Sequence, residues 1–262
     1  MSRYPKLNRH KGFTLIEIIT VIIILGIVSV GLTGFVKFGI DIYQDTVNRD
    51  RQVGDSRFLL ERLTRELREA LPNSIRTDGS CIEFVPIMSS STYISLPVIP
   101  EQENSFIVVT PAINSGNKVV VYPLTPQDVY GNVIANTGKI FSLSSNIAID
   151  AVTSQLTLPV ASSFFQHSPV SRYYLVENAI SYCVDGTNVF RYSNYWPGAT
   201  QESPPQSPVQ GVLMASNQSN STPFEYHQDS LLRNAVVQLN FSFTYNDESL
   251  NIYHEVHIVN VP

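Results

Sequence analysis

The chain has 262 residues, enough for one large or two small domains with a packed core, so a disulfide-stapled miniprotein is excluded. Seventeen Lys and Arg face twenty-two Asp and Glu, a net charge of −5 with no dominant basic patch, which argues against a dedicated nucleic-acid binder. Two cysteines cannot form a four-thiolate metal site, and a chain with 43% hydrophobic and 10% aromatic residues is not disordered throughout.

The first twelve residues hold Arg3, Lys6, Arg9 and Lys11 and no acid. Residues 18–36 then run for 19 positions without a charge, close to the roughly 20 helical residues that cross a hydrocarbon layer. The basic residues ahead of this run predict a cytoplasmic N-terminus and place everything after Lys37 across the membrane. A secretory signal peptide is disfavoured, because the run is followed by Gly34, Phe35, Val36, Lys37 and Phe38 rather than by a pair of small residues. A plain anchor leaves Glu17 unexplained, since a carboxylate at the edge of such a run is costly in lipid.

The string Lys11-Gly12-Phe13-Thr14-Leu15-Ile16-Glu17 resembles the prepilin processing site of type IV pilins and type II secretion pseudopilins. The resemblance implies cleavage after Gly12 by a membrane prepilin peptidase and N-methylation of the new Phe13 amine. It also implies that Glu17, the fifth mature residue, pairs with the Phe13 amine of a neighbouring subunit. A helix beginning at Phe13 would put positions 13 and 17 on one face. The bland alternative is a Glu17 that sits shallow in the interface and snorkels. Many major pilins carry a proline where this chain has Gly34, and Gly26, Gly31 and Gly34 serve either local loosening or ordinary membrane-helix packing.

Beyond Lys37 the pattern predicts an amphipathic stem helix to about Leu71, stopped by Pro72. Val53, Leu60, Leu63, Leu67 and Leu71 form its apolar stripe, and the opposite face alternates charge, as in Arg62 four before Glu66. A helix continuous from Phe13 to Leu71 would be roughly 90 Å long at 1.5 Å per residue. The stripe is expected to pack on the following head rather than in a separate coiled coil, because the charges do not flank it at heptad positions.

The remaining segments predict strands at 82–85, 106–110, 118–122, 140–143, 155–158, 173–176, 179–184 and 188–192, with Asp185-Gly186 as a tight turn. Two more strands, 235–245 and 250–261, flank Asn246-Asp247-Glu248-Ser249. No helical pattern alternates with them, so the expected class is α+β: a long N-terminal helix packed on an antiparallel β-sheet head. The expected domains are a cleaved leader at 1–12, a transmembrane and assembly helix at 13–38, a stem at 39–72 and the head at 73–262. Residues 193–230, rich in Pro, Ser, Gln and Asn, predict a long surface loop that Tyr195, Trp196 and Phe224 either pin to the sheet or turn into a recognition surface.

Cys81 and Cys183 adjoin predicted strands and would lie in an oxidising compartment, where a disulfide and two buried thiols are both open readings. Catalytic and metal signals fail on counting. In His254-Glu255-Val256-His257 the histidines are three apart on a predicted strand, not four apart on a helix. Gly131 to Ile140 has too wide a spacing for a phosphate loop and lacks its hydroxyl residue. The sequence therefore predicts a non-enzyme that needs no metal or cofactor.

The size and strand order of the head resemble the large minor pilins of the J or W type, as in mannose-sensitive haemagglutinin (MSHA) pilus biogenesis. The resemblance implies an inner-membrane subunit with a periplasmic head that later enters a pilus, at its tip. The implied partners are the prepilin peptidase, other minor and major pilins, the assembly platform protein and the assembly ATPase. Rivals are a J-type minor pseudopilin of type II secretion and a membrane-tethered periplasmic binding protein. Adhesion or DNA capture by the 193–230 loop is a further expectation.

Overall fold

The computed structural model describes residues 12–111, 117–131, 136–144, 152–206, 208–228, 235–245 and 248–258. Lys11 with the rest of the basic leader, the Asn246-Asp247 turn and the last four residues lie outside them. The described chain is α+β, a long N-terminal helix followed by antiparallel sheets. Helix α1 (Leu15–Arg68) continues through the glycines of the apolar run and into the charged stem. Its polar residues within the run satisfy themselves locally: the hydroxyls of Thr20, Ser29 and Thr33 donate to carbonyls three or four residues back. No backbone carbonyl or hydroxyl there needs water, the condition for a helix in hydrocarbon.

The chain divides into two units, one ending at Arg51 and one beginning at Gln52. In the first, apolar side chains point outward on every face of α1, with Ile16, Ile19, Ile23, Ile27, Val30 and Phe35 all exposed. A helix apolar all round is matched to a non-aqueous surround.

Among the described residues the second unit holds residues 52–68 of α1, a short helix α2 (Pro126–Tyr130) and fifteen strands. In chain order these are β1 (Arg76–Thr77), β2 (Cys81–Phe84), β3 (Ile87–Thr92), β4 (Glu103–Val109), β5 (Lys118–Val120), β6 (Thr137–Gly138), β7 (Ile140–Ser142) and β8 (Thr153–Phe164). They continue as β9 (Arg172–Val176), β10 (Ala179–Asp185), β11 (Asn188–Tyr195), β12 (Val212–Ala215), β13 (Phe224–His227), β14 (Ala235–Tyr245) and β15 (Glu248–Ile258). The strands form sheets ordered β1-β2-β10-β11-β12, β13-β14-β15, β3-β9-β5-β7 and β4-β8-β6. Among the described residues every strand pair is antiparallel except the short β6–β8 pair.

Strand β14 shows why the sheet stays in register. Its odd residues from Ala235 to Phe243 are buried and its even ones face outward, so a slip of one residue would expose the whole set. Those odd side chains meet Leu59, Leu63 and Leu67 of α1, together with Ile82, Phe84 and Tyr182 from the first sheet. A second core forms around Phe106, Leu156, Phe164 and Tyr173, and Leu71, Val120, Tyr130 and Val176 belong to a third.

Three expectations change here. The stem stripe is centred on Ser56, Leu59, Leu63 and Leu67, with Leu60 on its flank, because the helix is gripped from one side by the first sheet and from beneath by β14. The helix ends at Arg68, not Leu71, since Glu69 and Ala70 donate to carbonyls three back and Leu71 donates to the Val85 carbonyl at 2.7 Å. That backbone has left the helix before Pro72 is reached. Finally, residues 193–230 are not one loop: β11 runs to Tyr195, and β12 and β13 place Met214, Ala215 and Phe224 in the main core. Deleting the whole segment would therefore remove core strands as well as surface.

Leu63 is fully buried and Leu60 only partly so, which separates their contributions. We predict that Leu63→Ala lowers unfolding free energy by about 2–5 kcal/mol and Leu60→Ala by clearly less, measured as denaturant midpoints at constant slope.

Candidate functional site

The start of α1 is built by Thr14 and Glu17. Thr14 is the residue before the first helical turn, and the fourth position of the resulting T-x-x-E box is Glu17. The Thr14 amide donates to Glu17 Oε2 at 2.9 Å, its hydroxyl donates to the same oxygen at 3.0 Å, and the Glu17 amide donates to Thr14 Oγ1 at 3.4 Å. Two orphan amides of the helix end are thereby satisfied, and the negative charge sits where the helix dipole favours it. The carboxylate is thus occupied even in a single chain.

This corrects the expectation that the helix begins at Phe13. Gly12, Phe13 and Thr14 precede it, and Phe13 is 86% exposed. The Gly12–Phe13 peptide therefore precedes the helix, and nothing lies within 4 Å of where a Gly12 Cβ would stand. The sequence signal for this cap was present: Thr, two residues, Glu, then a long apolar run.

In the second unit the stem is held to the head by a half-buried charge cluster. Glu66 Oε1 accepts from Arg62 Nε at 3.1 Å, and Glu66 Oε2 accepts from Arg191 Nε of β11 at 3.0 Å and from the Tyr182 hydroxyl of β10 at 2.9 Å. Burial alone would raise the Glu66 carboxyl, but Arg191, Tyr182 and Arg62 outweigh it and hold it below the usual range. Burial and the neighbouring Glu66 charge raise the Tyr182 phenol. The Arg62–Glu66 spacing was legible in the sequence, whereas Arg191 and Tyr182 arrive from more than a hundred residues away.

A second cluster fixes the segment after β11. Glu83, 1% exposed, pairs with Arg76 and accepts from the Tyr195 hydroxyl at 2.6 Å. Arg76 also donates to the Ala199 and Gly198 carbonyls at 2.7 and 3.0 Å, and its guanidinium lies 3.9 Å from the centre of the Tyr130 ring. Burial first, and then the Glu83 charge, push the Tyr195 phenol up. Beside this cluster Cys81 and Cys183, directly opposed on β2 and β10, form a disulfide that spans 102 residues. Closing a loop of that size removes unfolded-chain entropy worth up to about 4.7 kcal/mol.

The remaining candidates do not assemble chemistry. His254 and His257 lie on opposite faces of β15, the first half-buried and the second exposed. Lys139 is buried against Asp128 at 3.0 Å, and residues 132–135 of the glycine-flanked stretch lie outside the described set. A cavity of about 380 Å³ bounded by Ile140, Leu158, Val160 and Trp196 brings the Lys118 ammonium to 4.3 Å from the indole centre, and the same ammonium donates to the Glu177 carbonyl at 3.2 Å. Among the described residues no group of three His, Cys, Asp or Glu is placed to hold a metal ion.

Because the folded Glu66 pKa is depressed, its stabilisation is present above the unfolded value near 4.5 and is lost as pH falls through the folded value. We predict that the denaturant midpoint of the purified chain falls as pH drops below about 4.5, and that Glu66→Gln starts lower at pH 7 and declines less steeply.

Against known proteins, residues 7–33 match the family model described as the prokaryotic N-terminal methylation motif. No curated protein and no solved structure matches the chain. The motif match, ending within the apolar run, supports a type IV pilin-like or pseudopilin protein, with the prepilin peptidase and other pilins as the partners it implies. The apolar helix that follows suggests a membrane anchor.

Proposed function

We propose that the chain is a minor pilin, a structural subunit that helps initiate or cap a type IV pilus, most similar in appearance to the MSHA pilus biogenesis protein MshO. The observation that carries this reading is the acid at Glu17, set four residues after Phe13 in an exposed Gly12–Phe13 junction that precedes the helix, and at the head of a helix that is otherwise apolar on every face. Cleavage after Gly12 would leave a Phe13 amine immediately before the Thr14 cap, and in a stack of parallel helices that amine supplies the cation the carboxylate lacks. The basic leader supports a cytoplasmic N-terminus and a periplasmic head, and the disulfide fits an oxidising compartment. The platform protein and assembly ATPase are the partners this role needs.

A J-type minor pseudopilin of type II secretion has the same processing logic, so the motif match favours it equally. Neighbouring genes for a secretin-linked secretion set, rather than pilus components, would select it. A membrane-tethered binding protein would use the helix only to anchor.

The test is Glu17→Ala in cells. The subunit reading predicts a chain that still inserts and is still cleaved, while its recovery in sheared filaments falls by more than about tenfold because the unpaired amine is left in an apolar stack. Unchanged incorporation would leave only the anchor.

A further inference from the structure

Strand β15 is the outer strand of its sheet, and it differs from the other sheet edges among the described residues. β1 and β6 have two residues, β7 three, β12 and β13 four, and the pairings of β3 and β4 are broken by register shifts. β15 pairs with β14 through eleven consecutive residues, Glu248 to Ile258, without a shift, and contains no proline, glycine or lysine. Proline, lysine and bulges are the usual devices that keep an edge from pairing.

The direction of its free groups follows from β14. The amides of Asn240 and Thr244 donate to the Pro223 and Asn217 carbonyls, so even residues of β14 point away from β15 and odd ones point toward it. The register pairs odd β14 residues with even β15 residues, as in Phe241 with Ile252. The amides and carbonyls of Ser249, Asn251, Tyr253, Glu255 and His257 therefore face outward, and none has a backbone partner among the described residues.

Beside this edge lies a cavity of about 440 Å³ between β15 and the stem, where Leu60 and Thr64 of α1 are flanked by Arg65, Arg68, Glu61 and Glu69 and closed by His254. Arg65 and Arg68 make no ion pair among the described residues, unlike Arg62 and Arg191. A strand added to β15 would direct alternate side chains into this space.

We propose that β15 accepts an extended strand from a different subunit, with an apolar side chain over Leu60 and Thr64 and an acidic one at Arg65 and Arg68. This rests on the subunit reading above. A second copy is the poorer occupant: antiparallel pairing of two β15 edges relates the copies by a two-fold axis normal to the sheet. That operation keeps the inner faces of the two sheets on one side, so a second β15 would present Leu250, Ile252, His254, Val256 and Ile258 toward the cavity, none of them an acid for Arg65 and Arg68. Main-chain hydrogen bonds would supply affinity, and the alternate side chains would supply selectivity.

The test uses the full chain in its host, with a photoreactive residue at Asn251 or at Tyr253 and mapping of the crosslinked peptides. The expected adducts fall in one extended, acid-containing segment of another pilin-like subunit and move by two residues when the probe moves from 251 to 253. Arg65→Glu with Arg68→Glu, on the exposed stem, should cut the yield roughly tenfold. Asn251→Pro, which removes an outward amide and spares the β14 ladder, should do the same to the Tyr253 probe. Adducts to a second copy, adducts scattered over many proteins, or yields unchanged by these variants would overturn the proposal. A chain that is cleaved, enters filaments and gives none of these adducts would remove the docking edge while leaving the subunit reading in place.

Discussion

The carboxylate of Glu17 is the constraint from which the first half of the molecule follows. An acid at the head of an apolar helix has few stable solutions: it must reach water, neutralise, or meet donors. Here Thr14 supplies two hydrogen bonds and the helix end supplies a favourable dipole, so a single chain tolerates the charge. That arrangement also sets the start of the helix at Leu15 and leaves the Gly12–Phe13 junction outside it. Cap and acid are thus parts of one local structure. A free amine at Phe13 would add the missing positive charge without requiring the helix to be rebuilt.

In the second unit the helix is used differently. Leu59, Leu63 and Leu67 supply apolar burial, and Glu66 selects the rotation at which they are buried, because only one setting brings it to both Arg191 and Tyr182. A half-buried carboxylate is a poor source of stability by itself, yet leaving it unpaired is costly, so the cluster acts mainly against wrong registers of helix on sheet. The Glu83 cluster plays the same part for the segment after β11, with Arg76 holding two carbonyls of a stretch that has little regular structure of its own. The disulfide beside it locks together β2 and β10, two strands distant in sequence but adjacent in the sheet.

The legible parts of the sequence were those governed by local rules. The apolar run, the leader and the Gly-Phe-Thr-x-x-Glu order are set by lipid and by helix capping, and β14 shows clean alternation, so its bounds were readable to the residue. Strands β3, β12 and β13 were missed because they are short, serine-rich or preceded by proline, and take their conformation from neighbours rather than from their own pattern. The centre of the stem stripe was misplaced toward Leu60 because periodicity marks a face but not the partner that grips it. Arg191, Tyr182, Tyr195 and Arg76 could not be grouped in advance, since each pair is joined only by the sheet order. The Thr14 cap is legible in the sequence as Thr, two residues and Glu ahead of the apolar run, so Glu17 has an intramolecular role beside the intermolecular one its motif implies.

The account stands on the claim that Glu17 is retained for an amine created by processing. The most direct measurement is intact-mass and fragment-ion mass spectrometry of the chain isolated from its host. The account predicts a polypeptide that begins at N-methylated Phe13. A chain that still carries residues 1–12 would contradict it, and Glu17 would then be no more than the cap of an anchor helix.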